Sequence, residues 1–109
     1  MDELGVGHLT HYTDEYSSSG HLYITRIPGA DDKRRREIII KMEELGVPCN
    51  VHYKPLPMMS AYKKLGFDIK DYPNAYAYYE NAITLPLHTK LSDEDVEFIC
   101  DSFRKAIKA

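Results

Sequence analysis

Residues Asn50 to Tyr62 read NVHYKPLPMMSAY. The run that enters this stretch, Cys49 to Tyr53, is short, apolar and aromatic, with His52 inside it. That pattern predicts a strand. It meets Lys54-Pro55-Leu56-Pro57 at once. Neither proline has an N–H to give to a sheet ladder, so pairing must stop there. His52 and Tyr53 are thus expected at a strand exit, where a rigid element holds the side chain and the next loop shapes a pocket. A half-buried strand histidine with its hydrogen bonds satisfied is the plainer reading of His52. Both readings stay open at this level.

Working upstream, Asp31 and Asp32 are placed to cap a helix whose apolar residues Ile38, Met42 and Leu45 recur at i, i+4 and i+7. Gly46 and Pro48 stop that helix just before the strand. Before it, Leu22 to Ile27 is rich in β-branched and aromatic residues and ends at Pro28-Gly29, a strand followed by a turn. Residues 1–20 keep no period and contain Ser17-Ser18-Ser19-Gly20. They read as an irregular arm leading into a domain over residues 21–109. Downstream, Met58 to Leu65 predicts a short helix closed by Gly66, and Pro73 opens another. Ile83-Thr84-Leu85 is a third short strand ended by Pro86. Ser92 and Asp95 form a capping box for the last helix, whose stripe is Val96, Ile99, Cys100, Phe103 and Ile107. The order is β-α-β-α-α-β-α. It predicts an α+β fold with a small sheet of about three strands covered by helices.

Several classes of function are excluded by composition and motif. At 109 residues and 43% hydrophobic content the chain fits one globular domain with a real core. A net charge of −3 argues against general nucleic-acid binding. No apolar run approaches a membrane span, and the start MDELGVGHLTHY lacks a signal-peptide pattern, so a cytoplasmic protein is expected. Cys49 and Cys100 form no CxxC pair and are expected as buried free thiols. The run Lys33-Arg34-Arg35-Arg36 points in four directions around a helix, which predicts a solvated surface. His8 and His11 have no Cys or carboxylate cluster beside them, so no metal site is expected. No catalytic set of Ser-His-Asp or Cys-His type can be nominated. Cys49 and His52 would face opposite ways on a strand. Five of the nine tyrosines, Tyr62, Tyr72, Tyr76, Tyr78 and Tyr79, cluster in one third of the chain. Such clusters suit interfaces and ligand mouths, and equally suit half-buried helix packing.

Three segments in order carry a resemblance. They are SSGHLYITRI at residues 18–27, then the helix end ELGVPCNVHYKPLPMMSAY, then YPNAYAYYENAITLPLHTKLSDEDVEFI at residues 72–99. Together they resemble the C-terminal small domain of the DegT/DnrJ/StrS family, pyridoxal-phosphate-dependent sugar-nucleotide aminotransferases of the aspartate-aminotransferase fold. The resemblance implies a parent homodimer that moves an amino group from glutamate to a nucleotide-linked keto-sugar, in surface-polysaccharide or other amino-sugar biosynthesis. It implies that the cofactor and its lysine sit on a large N-terminal domain, for which nothing in this chain is a match. The chain is therefore expected to be a fragment that binds no cofactor and does not transaminate alone. Asn50, His52 and Tyr53 match the family strand that approaches the active-site mouth, which implies substrate-side roles. The family pattern carries a second histidine two residues after the proline. This chain has Pro57 there, which implies a different sugar or subfamily. The alternative is a free-standing interaction or regulatory domain that uses the tyrosine-rich surface.

Overall fold

Asp31 starts the first helix, α1 (Asp32–Glu44), by accepting a hydrogen bond from the Arg34 N–H at 2.8 Å. The same helix ends in a Schellman motif. Gly46 takes φ +85°, its N–H donates to the Glu43 carbonyl, and the Val47 N–H donates to the Met42 carbonyl at 2.9 Å. Met42 and Val47 are both buried, so the cap is also a core contact. The last helix, α4 (Asp93–Lys108), begins with the capping box expected of Ser92 and Asp95. Ser92 Oγ accepts from the Asp95 N–H, and the Asp95 carboxylate accepts from the Ser92 N–H at 2.9 Å. The Ser92 N–H donating to the carboxylate, and to a lesser degree the Ser92 side chain, hold the Asp95 carboxyl below its ordinary pKa.

The structure is a computed structural model and describes residues 1–109. Its sheet has three antiparallel strands in the order β1 (Gly7–His8), β2 (Tyr23–Arg26), β3 (Ala82–Leu85). Ile24 lies opposite Thr84, and Tyr23 opposite Leu85. Two shorter helices, α2 (Ser60–Lys63) and α3 (Pro73–Tyr79), lie between α1 and β3 in sequence. Helices α1 and α4 pack on each other, and α1 also packs on β3. Ile38 and Met42 from α1, Ile83 from β3 and Phe103 from α4 are fully buried at the centre. Burying four side chains of this size contributes roughly 1.5–3 kcal/mol each. This is the α+β architecture expected, a three-stranded sheet covered by helices.

Three local expectations change. The strand predicted over Cys49 to Tyr53 shrinks to one antiparallel bridge, Asn50 to Thr84. Those two residues exchange both backbone hydrogen bonds, at 3.1 and 2.7 Å. Extending that register by two residues sets Pro48 opposite Pro86, and neither has an N–H. On the other side the chain turns away toward Pro55. With the bridge counted in place of the second strand, the expected order β-α-β-α-α-β-α holds.

The arm over residues 1–20 is not wholly irregular. It supplies β1, and Val6 beside it enters the core. The charge run is not wholly solvated either. Arg35 is 3% exposed, because one of its four directions faces inward. Its guanidinium donates to the Tyr79 carbonyl and to Asp32, and lies 4.3 Å from the centre of the Tyr79 ring. Arg34 donates to the Ile107 and Ala109 carbonyls at 2.8 and 3.1 Å, a cation at the C-terminal end of α4.

Candidate functional site

The Asn50–Thr84 bridge brings the expected site residues to the free edge of β3. His52, two residues past the bridge, is half-buried, and its Nδ1 lies 2.8 Å from Thr84 Oγ1. Its Nε2 makes no protein hydrogen bond and stays open to solvent. A cleft of about 180 Å³ runs along this edge, lined by His21, Pro48, Asn50, His52, Thr84 and Pro86 among others. Asn50 and His52 thus share one cleft. Tyr53 does not line it. Its ring meets His52 edge-on, with centroids 4.6 Å apart, and is 71% exposed.

His21 is the residue that sequence reasoning missed as a member of this group. It stands two residues before β2, and the β2–β3 register carries it toward Leu87, beside the cleft. The available signal was its position just before a strand whose partner ends in Pro86. The pairing of β2 with β3 was needed to use it.

Chemically, the cleft presents an imidazole, an amide and a second imidazole. These groups can hydrogen-bond hydroxyl, carbonyl or phosphate oxygens. They do not form a nucleophile. Cys49 is half-buried and its thiol donates to the Val47 carbonyl at 3.6 Å. Burial pushes that thiol up to about 11, so it stays protonated near neutral pH. Cys100 is also half-buried and free, where full burial was expected.

Larger hollows lie elsewhere and offer less chemistry. One of about 370 Å³ is lined almost wholly by apolar side chains, including Leu91, Val96 and Ile99. Another, of about 550 Å³, lies under the arm, where His8 and His11 both stack on Tyr23. There His8 Nε2 is 3.1 Å from Asp2, whose hydrogen bond raises the histidine's pKa. No group of three or more His, Cys, Asp or Glu side chains converges in a way that would hold a metal. No helix is long and apolar enough to cross a membrane.

The residues present do not fit a pyridoxal-phosphate site. Such a site needs a lysine directed into a cavity with donors around a phosphate. Every lysine of the chain is exposed, and none lines the His52 cleft or the four larger hollows.

The model of the DegT/DnrJ/EryC1/StrS aminotransferase family matches residues 1–104. The spore coat polysaccharide biosynthesis protein SpsC of Bacillus subtilis is 31% identical over 101 residues, 87% of this chain and 25% of that protein. The UDP-4-amino-4,6-dideoxy-N-acetyl-beta-L-altrosamine transaminase of Campylobacter jejuni is 32% identical over 89 residues, 82% of this chain and 23% of that protein. Among solved structures, the putative sugar aminotransferase Spr1654 from Streptococcus pneumoniae, in its PLP-form, superposes with a TM-score of 0.91 at 52% identity. The match covers 94% of this chain and 26% of that one. The chain spans about a quarter of the length of these relatives.

Proposed function

This chain belongs to the DegT/DnrJ/EryC1/StrS aminotransferase family, and from that premise we propose that it forms the C-terminal small domain of a sugar aminotransferase. Residues 21–109 make the domain, with residues 1–20 as its leading arm. The cofactor, pyridoxal phosphate, belongs to a large domain that carries the reactive lysine. The parent enzyme is a cytoplasmic homodimer. It moves an amino group from glutamate to a keto-sugar held on a nucleotide, for surface-polysaccharide or other amino-sugar synthesis. This domain contributes Asn50, His52 and Tyr53 to the substrate side of the active-site mouth.

The observation that carries this role is the shared cleft of Asn50 and His52, with the open His52 Nε2 beside it. A polyhydroxylated ligand is held by such groups one oxygen at a time. The experiment separates the two half-reactions of the enzyme in which this domain is joined to a lysine-bearing domain. His52→Ala should weaken amination of the sugar nucleotide by about 1 kcal/mol, roughly five-fold, and leave the glutamate half-reaction near its original rate. Equal losses in both halves would assign His52 to the cofactor or to the fold.

One observation favours the alternative, a free-standing interaction domain. Leu56, Tyr62, Phe67 and Tyr72 leave large parts of their apolar surface exposed. Cofactor titration tests the first reading. The isolated chain should develop no saturable cofactor absorption that depends on a single lysine. Such a signal would overturn the division of labour proposed above.

A further inference from the structure

Strand β3 is buried along its whole length, yet its third residue is a threonine. Valine would fill the same volume without a polar atom. A buried hydroxyl with no partner costs about 1–3 kcal/mol, so its hydrogen bond must be accounted for. The molecule gives a control in Thr25, which is also buried. Its hydroxyl donates to the Ile83 carbonyl at 2.7 Å and so joins β2 to β3. Thr84, 5% exposed, has one hydrogen-bonding neighbour for its hydroxyl, the Nδ1 of His52 at 2.8 Å. The hydroxyl makes no hydrogen bond to a carbonyl, which leaves the imidazole as its one candidate acceptor within the protein. Nδ1 is then the acceptor, and the ring proton of a neutral imidazole sits on Nε2.

We propose that Thr84 is a positioning residue for His52. Its hydroxyl donates to Nδ1 and holds the imidazole as the Nε2–H tautomer, which presents a hydrogen-bond donor to the cleft. The backbone of Thr84 exchanges two hydrogen bonds with Asn50, so one residue sets both the position of the cleft's amide and the tautomer of its imidazole. The ligand atom that meets Nε2–H is an oxygen acceptor, such as a sugar hydroxyl or keto oxygen. The choice of a sugar rests on the substrate-side reading given above. The tautomer does not depend on it.

Long-range proton–nitrogen NMR of the labelled chain, at an alkaline pH where imidazoles are neutral, tests the assignment. Wild type should carry the His52 proton on Nε2, with Nδ1 shifted by the hydrogen bond it accepts. In Thr84→Val the Nδ1 resonance should move to the value of an unbonded imidazole, and a fraction of the Nδ1–H form should appear. Thr84→Ser, which keeps the hydroxyl, should restore the wild-type pattern. A proton on Nδ1 in wild type, or an Nδ1 resonance unmoved in Thr84→Val, overturns the proposal. Should the valine variant fail to fold, the wild-type and serine spectra still decide which nitrogen is protonated. If the tautomer is as stated and His52→Ala leaves sugar-nucleotide use intact, the substrate reading falls while the role of Thr84 stands.

Discussion

Phe103 and Phe67 are the same residue in two different settings. Phe103 is fully buried where α4 meets α1 and β3, whereas Phe67, after α2, is 44% exposed. The contrast extends to their neighbours. Around Phe103 the helices and strands pack on one another across long stretches of sequence. Between Lys54 and Tyr72 the short helical turns pack mainly on the next turn along. Leu56, Met59, Tyr62, Leu65 and Tyr72 are exposed with Phe67, and a hollow of about 410 Å³ lined by Leu56, Tyr62, Phe67 and Tyr72 among others is nearly all apolar. The first region stabilises this chain. The second keeps apolar surface outward, and such patches tend to find partners. The tyrosines at residues 76–79 fall on the first side of the divide. Tyr78 and Tyr79 are half-buried, under Arg26 and Arg35.

The largest effect should come from the buried side. Phe103→Ala should cost about 3–5 kcal/mol of stability, read from the urea midpoint of the unfolding transition. A loss below about 1 kcal/mol would mean that the core is not centred on α4. Next is the capping box. Ser92→Ala should cost about 1 kcal/mol, because the Asp95 N–H loses its acceptor. The same box makes an acid limb. The lowered Asp95 pKa contributes stability that is present above its unfolded value and is lost as pH falls through the folded value. In Asp95→Asn that limb should flatten. An unchanged limb would assign the acid sensitivity to other carboxylates.

Cys49 sits on the border between the two regions and sharpens it. Its thiol pKa is raised by burial to about 11. Alkylation at near-neutral pH should be slow, and should speed up as pH climbs toward that value. The linked stability is present below the ordinary cysteine value and is lost as pH rises through the folded one. Rapid neutral-pH alkylation under folding conditions would show that the border opens. The smallest stability effect should come from the exposed side. Leu65→Ser and Phe67→Ser should each change stability by no more than about 0.5 kcal/mol. Both should reduce self-association of the isolated chain, followed by light scattering over a concentration series. A wild-type chain that stays monomeric at high concentration would erase the distinction between the regions.

Much of the fold was legible because its signals are local. Asp31, Gly46, Ser92 and Asp95 act within a few residues of themselves, and each cap formed as its spacing required. The helical stripe through Ile99 and Phe103 followed the same logic, since a 3.6-residue period needs no partner to be seen. The strand at residues 49–53 was less legible. Its composition suits a strand, but its ladder depends on Pro86, which is 38 positions from Pro48 in sequence (86 − 48 = 38).

The sequence by itself determined the α+β class, the caps and the end of sheet pairing before Pro55-Leu56-Pro57. Only the tertiary structure decided that Arg35 turns inward onto Tyr79, that Gly7–His8 adds a strand, and that His21, Asn50 and His52 share a cleft. It also decided that Tyr53 stays outside that cleft, against the His52 ring, and that the Thr84 hydroxyl meets His52. The physical reason is range. Propensity, capping and periodicity are properties of neighbours along the chain. The burial of a charge, the register of a sheet and the partner of a hydroxyl depend on groups brought together from dozens of residues apart.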